Sequence, residues 1–232
     1  MKTYYFIRHG ASESDVGNVH LRDFHHERHT WVDWPLSEKG RIQAARVGEK
    51  LRRLDVELVL SSSLSRSVET AEISARESGI PYGGGWEALN EVVMGKVPGP
   101  WAPAAARGRR RTSSPRFKRP LWPLLYRGLT VAYLLLWRAG ITEGGETREQ
   151  VDARVREVLV RLDGFPQNRI AVVGHGYWIL CMAGFLLRPV GRRLPPFPPG
   201  GWVSNVSFTR VRTSGGGWEL EHFATPIGKV AR

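Results

Sequence analysis

The sequence predicts an α/β domain: a three-layer, doubly wound, mostly parallel sheet with helices on both faces. Three observations carry this expectation. Short apolar runs at residues 3 to 7, 56 to 63 and 169 to 176 each lead into a turn with polar residues. Each run is followed by a segment of helical pattern, and strands alternating with helices make parallel neighbours covered on both sides. The length, 232 residues, suits one full core, and nothing marks two comparable domains.

The elements follow in order. Tyr4-Tyr5-Phe6-Ile7 reads as a buried strand that stops at Arg8-His9-Gly10. "SEKGRIQAARVGEKLRRL" is the first helix, "VELVLSSS" the second strand, and "LSRSVETAEISARES" the helix after it. In "ETREQVDARVREVLVRL", Thr147 can cap a helix with Gln150 reaching back, while Val151, Val155, Val158 and Leu162 recur at helical spacing. That helix is scaffold. "RIAVVGHG" then supplies a strand and "YWILCMAGFLL" a helix. Finally, "WVSNVSFTRVR" and "WELEHFAT", joined by "TSGGG", predict a hairpin or edge strand. In open parallel sheets ligands bind beyond the carboxyl ends of the strands, so His9, Arg66 and His175 are expected on one edge.

The charge is lopsided, with 34 Lys plus Arg against 22 Asp plus Glu, a net +12 that favours an anionic partner. Cys181 is the only cysteine, which excludes an intramolecular disulfide and fits a reducing cytoplasm. The first residues are too short and too soon charged for a secretory signal.

Residues 96–139 stand apart as a basic and hydrophobic insertion, expected to cap the single domain spanning 1–232. It carries seven cations in "RGRRRTSSPRFKR" and then an apolar stretch at 121 to 138. Three readings of that stretch stay open. It is short for a membrane span and interrupted by Pro123 and Arg127. Leu124, Leu125, Leu129, Ala132 and Leu136 would face a core if it is a cap helix. Trp122, Tyr126, Tyr133 and Trp137, next to the cation run, would suit peripheral contact with an anionic membrane. Nucleic acid is disfavoured, since no reading motif accompanies the cations. His20, His25, His26 and His29 match no common zinc spacing and read as a loop near the site mouth.

A histidine nucleophile must be neutral at its attacking nitrogen, and a hydrogen bond from the other ring N–H fixes that tautomer. Beyond a strand end it would be rigid and exposed. Gly10 permits a tight turn or close approach. Arg8 offers a fork of donors suited to phosphate oxygens.

The ordered blocks "RHGASESD", "SSSLSRSVETAE", "LNEVVMG" and "VVGHG" resemble the histidine phosphatase superfamily, which includes the cofactor-dependent phosphoglycerate mutases. The resemblance spans residues 3 to about 95 and about 141 to 210. It implies that His9 attacks phosphorus, that Arg8, Arg66 and His175 hold the phosphoryl oxygens, and that Glu91 protonates the leaving oxygen and later activates water. It implies no metal and no cofactor. Glu146 of "EGGETREQ" reads as structural. The expected activity is hydrolysis of a small or lipid-like phosphorylated substrate. Mutase-type phosphoryl transfer and an inactive anion- or membrane-binding module are the alternatives.

Three departures qualify the resemblance. The family usually has asparagine where Asp15 stands, so an amide donor to phosphate becomes a repelling carboxylate unless it is protonated or turned away. Ser63 replaces a proline, and Glu69 replaces a glutamine.

Overall fold

The computed structural model describes residues 1–13, 15, 33–95, 132, 134–189, 191, 203–215 and 217–231. Six strands form one sheet: β1 (Lys2–Arg8), β2 (Leu58–Ser62), β3 (Tyr82–Trp86), β4 (Arg169–Gly174), β5 (Phe208–Ser214) and β6 (Gly217–Thr225). Their spatial order is β3-β2-β4-β1-β5-β6. The first four in that order pair in parallel, and β5 and β6 add an antiparallel hairpin at the edge, as the sequence predicts.

Alternation along β1 shows how the layers form. Tyr5 and Ile7 join a core with Val47 and Leu51 of helix α1 (Glu38–Arg53) and Ala71 and Ala75 of helix α2 (Ser65–Ser78). Tyr4 and Phe6 point to the other face. There the Tyr4 hydroxyl donates to the Leu162 carbonyl of helix α3 (Arg148–Asp163), and the Phe6 ring lies 5.8 Å from Trp178 of helix α4 (Gly176–Leu187). Both faces of the sheet are thereby covered. Val151, Val155, Val158 and Leu162 of α3 are all buried, each contributing about 1.5–3 kcal/mol by its removal from water. Thr147 and Gln150 exchange hydrogen bonds at its start, the expected capping box.

The loop after β1 is held against the start of α1. Ser37 caps that helix by accepting from Gly40 N–H while its hydroxyl donates to the Ala11 carbonyl. Gly10 and Gly40 touch backbone to backbone: a Cβ on Gly10 would lie 2.6 Å from Gly40 O, and one on Gly40 would overlap the Ala11 carbonyl. Close approach, rather than an unusual turn, is what Gly10 supplies.

The described residues fall in two compact units, one holding the sheet and the other lying within Val93–Gln150. In the smaller unit Glu146 accepts from Val93 N–H and donates its own N–H to the Val93 carbonyl, a structural role. Trp137 is buried and donates its indole N–H to Glu146 O. The stripe expected to face a core is corrected in part: Ala132 is exposed, and Trp137 is the side chain that anchors this turn. The rest of the 96–139 insertion up to residue 131, Tyr133, and the histidines at 20, 25, 26 and 29 lie outside the described residues. Among the described residues no helix is long and apolar enough to cross a membrane.

Two glycine substitutions test this frame. Gly40→Ala is expected to lower unfolding free energy by about 1–3 kcal/mol, because backbone must move to admit the methyl group. Gly79→Ala, at the α2 C-terminus with φ +73° and open space around it, is expected to cost only about 1 kcal/mol. Urea unfolding at constant m-value measures both; an ordering reversed from this one contradicts the packing described.

Candidate active site

Parallel pairing of β1 with β4 sets Arg8 opposite Gly174, and the next backbone bond, His9 N–H to Gly174 O, is 3.0 Å. The residues that follow, His9 and His175, therefore leave the sheet side by side, their ring centroids 5.2 Å apart. His9 donates Nδ1–H to the carbonyl of Gly10 at 2.7 Å. This assigns the lone pair to Nε2, which receives Nε–H of Arg66 at 3.2 Å. The expected tautomer lock is present. The expected exposure is not: His9 is only 4% exposed, with Arg66 and His175 packed against the ring.

Arg66 is the second residue of α2, delivered by the turn after β2, and is itself buried. Its Nη2 donates to Nδ1 of His175 at 3.3 Å. With Nδ1 accepting, the His175 proton sits on Nε2, which donates to Ser62 Oγ at 2.7 Å and lies 3.3 Å from Ser67 Oγ. One guanidinium thus addresses both imidazoles. Burial, with Arg8 and Arg66 adding to it, pushes His9 down to about 3. Burial and the same arginines hold His175 well below the usual imidazole range. Both rings are neutral at pH 7.

Arg8 has its Nη1 tied to the Val203 carbonyl at 2.9 Å and its Nη2 to Asp15 Oδ1 at 3.0 Å. Its Nε is buried with no hydrogen-bond partner among the described residues. An orphaned buried N–H is costly and rare, and here it belongs to the residue best suited to an anionic oxygen. Asp15 also accepts from Ser12 N–H at 3.0 Å, Ser12 Oγ at 2.9 Å and Asn205 Nδ2 at 3.3 Å. Asp15 is thus paired with Arg8 rather than turned away.

Glu91 follows a short turn after β3 and is 8% exposed. Its carboxylate accepts from Val92 N–H at 3.0 Å and, at the start of α4, from Trp178 N–H at 3.0 Å and Tyr177 N–H at 3.3 Å. Burial pushes its pKa above the ordinary glutamate value, against the pull of those N–H groups and of Arg66. A carboxyl held this way can carry a proton nearer neutrality, as a general acid needs. Asn90 and Arg154 steady the segment: Arg154 donates to Asn90 O, and Asn90 Oδ1 accepts from Ser63 N–H and Oγ–H, both at 3.0 Å.

The structure gathers Arg8, His9, Asp15, Arg66 and His175 into one cluster, with Glu91 acting electrostatically on Arg66. Sequence reasoning missed Ser62, Ser67, Asp33 and Asn205. Ser62 and Ser67 were visible as members of a serine-rich turn, but not their contact with His175. Asp33 Oδ1 accepts from Ser65 N–H at 2.8 Å and lies 3.9 Å from Arg66 Nη1. Asn205 bridges the His9 carbonyl and Asp15. Among the described residues no group of His, Cys, Asp and Glu is arranged to hold a metal. A cavity of about 350 Å³ at the other end of β1 contains Arg169, Arg210 and Arg212, but Asp55 and Glu221 pair with them.

Residues 4–226 match the family model of the histidine phosphatase superfamily, branch 1. A 98-residue stretch is 36% identical to Phosphoglycerate mutase 1 of Saccharomyces cerevisiae, covering 40% of this chain and 36% of that protein. Over 190 residues the chain is 27% identical to the Salmonella typhi protein named Probable phosphoglycerate mutase GpmB, covering 81% and 75% of the two. Among solved structures, a mycobacterial glucosyl-3-phosphoglycerate phosphatase complexed with VO3 superposes with a TM-score of 0.65 at 24% identity, over 97% of this chain and 100% of the other.

The two buried imidazoles make stability pH-dependent. With His9 at about 3 in the fold against an ordinary 6.5, the unfolded chain binds the proton in between. Stability from His9 is complete above pH 6.5 and is lost as pH falls toward 3. His9→Gln should therefore lose less unfolding free energy than the parent between pH 7 and 4.5, by on the order of 2 kcal/mol. Urea titrations at both pH values check it; equal losses would mean that His9 is not held neutral by the fold.

Proposed function

The chain belongs to the histidine phosphatase superfamily, and from that premise we propose that it hydrolyses phosphomonoesters through a phosphohistidine at His9, without a metal. One observation carries this reading above the others. Nδ1–H of His9 is committed to Gly10 O, leaving a neutral Nε2 lone pair beside Arg66 and the orphaned Nε–H of Arg8. A nucleophile and the donors for the charge it displaces share one cluster at the sheet edge.

In the first step Nε2 of His9 forms a bond to phosphorus as the ester P–O bond breaks, and the Glu91 carboxyl gives its proton to the departing oxygen. Arg8, Arg66 and His175 hold the phosphoryl oxygens, where negative charge concentrates. In the second step the Glu91 carboxylate takes a proton from water, the water oxygen attacks phosphorus, and the P–N bond breaks to restore His9. A single carboxyl serves as acid and then base. Ser62 keeps the His175 ring oriented through its 2.7 Å bond.

The substrate class is a phosphorylated small molecule or lipid. A mutase reading has its own support in the two relatives named as phosphoglycerate mutases. It differs only in the acceptor that takes the phosphoryl group from His9.

Phosphate release from an aryl phosphate in the presence of chelator tests the proposal. The parent is expected to turn over and to accumulate, on rapid quenching, an acid-labile and base-stable phosphoryl group that His9→Ala lacks. His9→Ala should lose activity by at least about 10³-fold. Activity unchanged in that variant, or abolished by chelator, would refute the mechanism. Fast phosphoglycerate interconversion with slow phosphate release would move the assignment to a mutase.

A further inference from the structure

We infer that Asp15 makes phosphoryl binding proton-coupled: its carboxylate is the resident counter-ion of Arg8, and an incoming phosphoryl group must share that arginine with it. This deepens the phosphoryl-transfer reading and rests on it. Of the five N–H donors of Arg8, one on Nη1 goes to Val203 O and one on Nη2 to Asp15 Oδ1, while the buried Nε–H has no hydrogen-bond partner among the described residues. A phosphoryl oxygen that takes Nε arrives beside a carboxylate already bonded to the same guanidinium. Two anions then face one cation.

Asp15 is not free to swing away. Ser12 grips its Oδ2 with both backbone N–H and hydroxyl, and Asn205 adds a third donor from the segment before β5. Among the described residues the titratable and charged groups facing it are Arg8 at the end of β1, His9 just after it and Arg66 of α2. His9 is neutral, so the two arginines are the cations Asp15 shares with the phosphoryl group. Asp33, 3.9 Å from Arg66, draws on the second of these.

In the free protein burial opposes ionisation of Asp15, but Arg8 and the Ser12 bonds outweigh it and hold the carboxyl below its ordinary value. A bound phosphoryl group cancels the field of Arg8 and adds repulsion, so the same carboxyl rises in the complex. Between those two values binding takes up a proton. Affinity for phosphate accordingly falls as pH rises through that window, beyond what the ionisation of phosphate and of Glu91 already causes. Neutral amide in place of the carboxylate removes the excess.

The experiment is calorimetric titration of the intact protein, Asp15→Asn and Asp15→Ala with inorganic phosphate between pH 3.5 and 8. Asp15→Asn is expected to bind roughly tenfold tighter than the parent from pH 8 down to about pH 5, with the gap closing as pH falls from there toward 3.5. Asp15→Ala, which drops the charge without supplying an amide, should likewise lose the excess pH slope, so the coupling can be read from either variant. Asp15→Asn binding more weakly would show a residue that positions Arg8 rather than competes for it. Parallel slopes in all three proteins would also overturn the coupling while leaving the phosphoryl-transfer reading intact. Phosphate binding by none of them, even at pH 5, would bring down both.

Discussion

The in-register parallel pairing of β1 on β4 is the constraint on which the pocket depends. Because Arg8 lies opposite Gly174 and His9 N–H binds Gly174 O, the two histidines emerge at one level of one sheet edge. A slip of β1 by one residue would turn its side chains to the opposite faces and part His9 from His175. The antiparallel pairing of β5 on the other side of β1 contributes a second tether, since Val206 N–H binds Arg8 O and Asn205 reaches the His9 carbonyl. His9 is therefore placed by a strand with parallel and antiparallel neighbours, with backbone hydrogen bonds on either side of it.

Electrostatics then makes the pocket asymmetric. Arg66 donates to both imidazoles, and a ring accepting from a guanidinium cannot also be protonated there. The same arginines that would attract a phosphoryl group thus keep the His9 ring neutral. Glu91 is shifted in the opposite sense because burial penalises its anion as it penalises the imidazolium cations. A neutral base and a carboxyl inclined to keep its proton result from one cause, exclusion of water, acting on groups of opposite type.

Much of this was legible in sequence where pattern and chemistry coincide. Apolar runs ending in Arg8-His9 and in Gly174-His175 predicted the strand ends, and the Thr147–Gln150 box predicted the start of α3. What was not legible depends on contacts between distant turns. Ser62 bonds His175 across 113 positions, and Asn205 reaches His9 across 196, with no periodicity to announce either. The burial of His9 was missed for a related reason: position beyond a strand end suggests exposure, whereas the neighbours that cover it come from α2 and from the loop after β4. Trp137 was grouped with membrane-facing aromatics by composition, but its indole N–H serves a carbonyl of its own unit.

The three departures from the family pattern differ in what their new partners are. Glu69 accepts from Leu36 N–H and pairs with Arg41 at 2.6 Å, so its added charge is neutralised by a half-exposed cation outside the pocket. Ser63 uses the very group a proline would lack, donating its N–H to Asn90 Oδ1, and so ties the turn after β2 to the segment carrying Glu91. Both exchanges are closed locally. Asp15 instead takes as its partner Arg8, whose buried Nε–H has no hydrogen-bond partner among the described residues, so an anion bound to that arginine would compete with it for the same guanidinium. A substitution balanced by a bystander alters stability alone; one balanced by a ligand-binding group alters the ligand equilibrium itself. Of the three, Asp15 is the one through which this chain's own sequence reaches the chemistry.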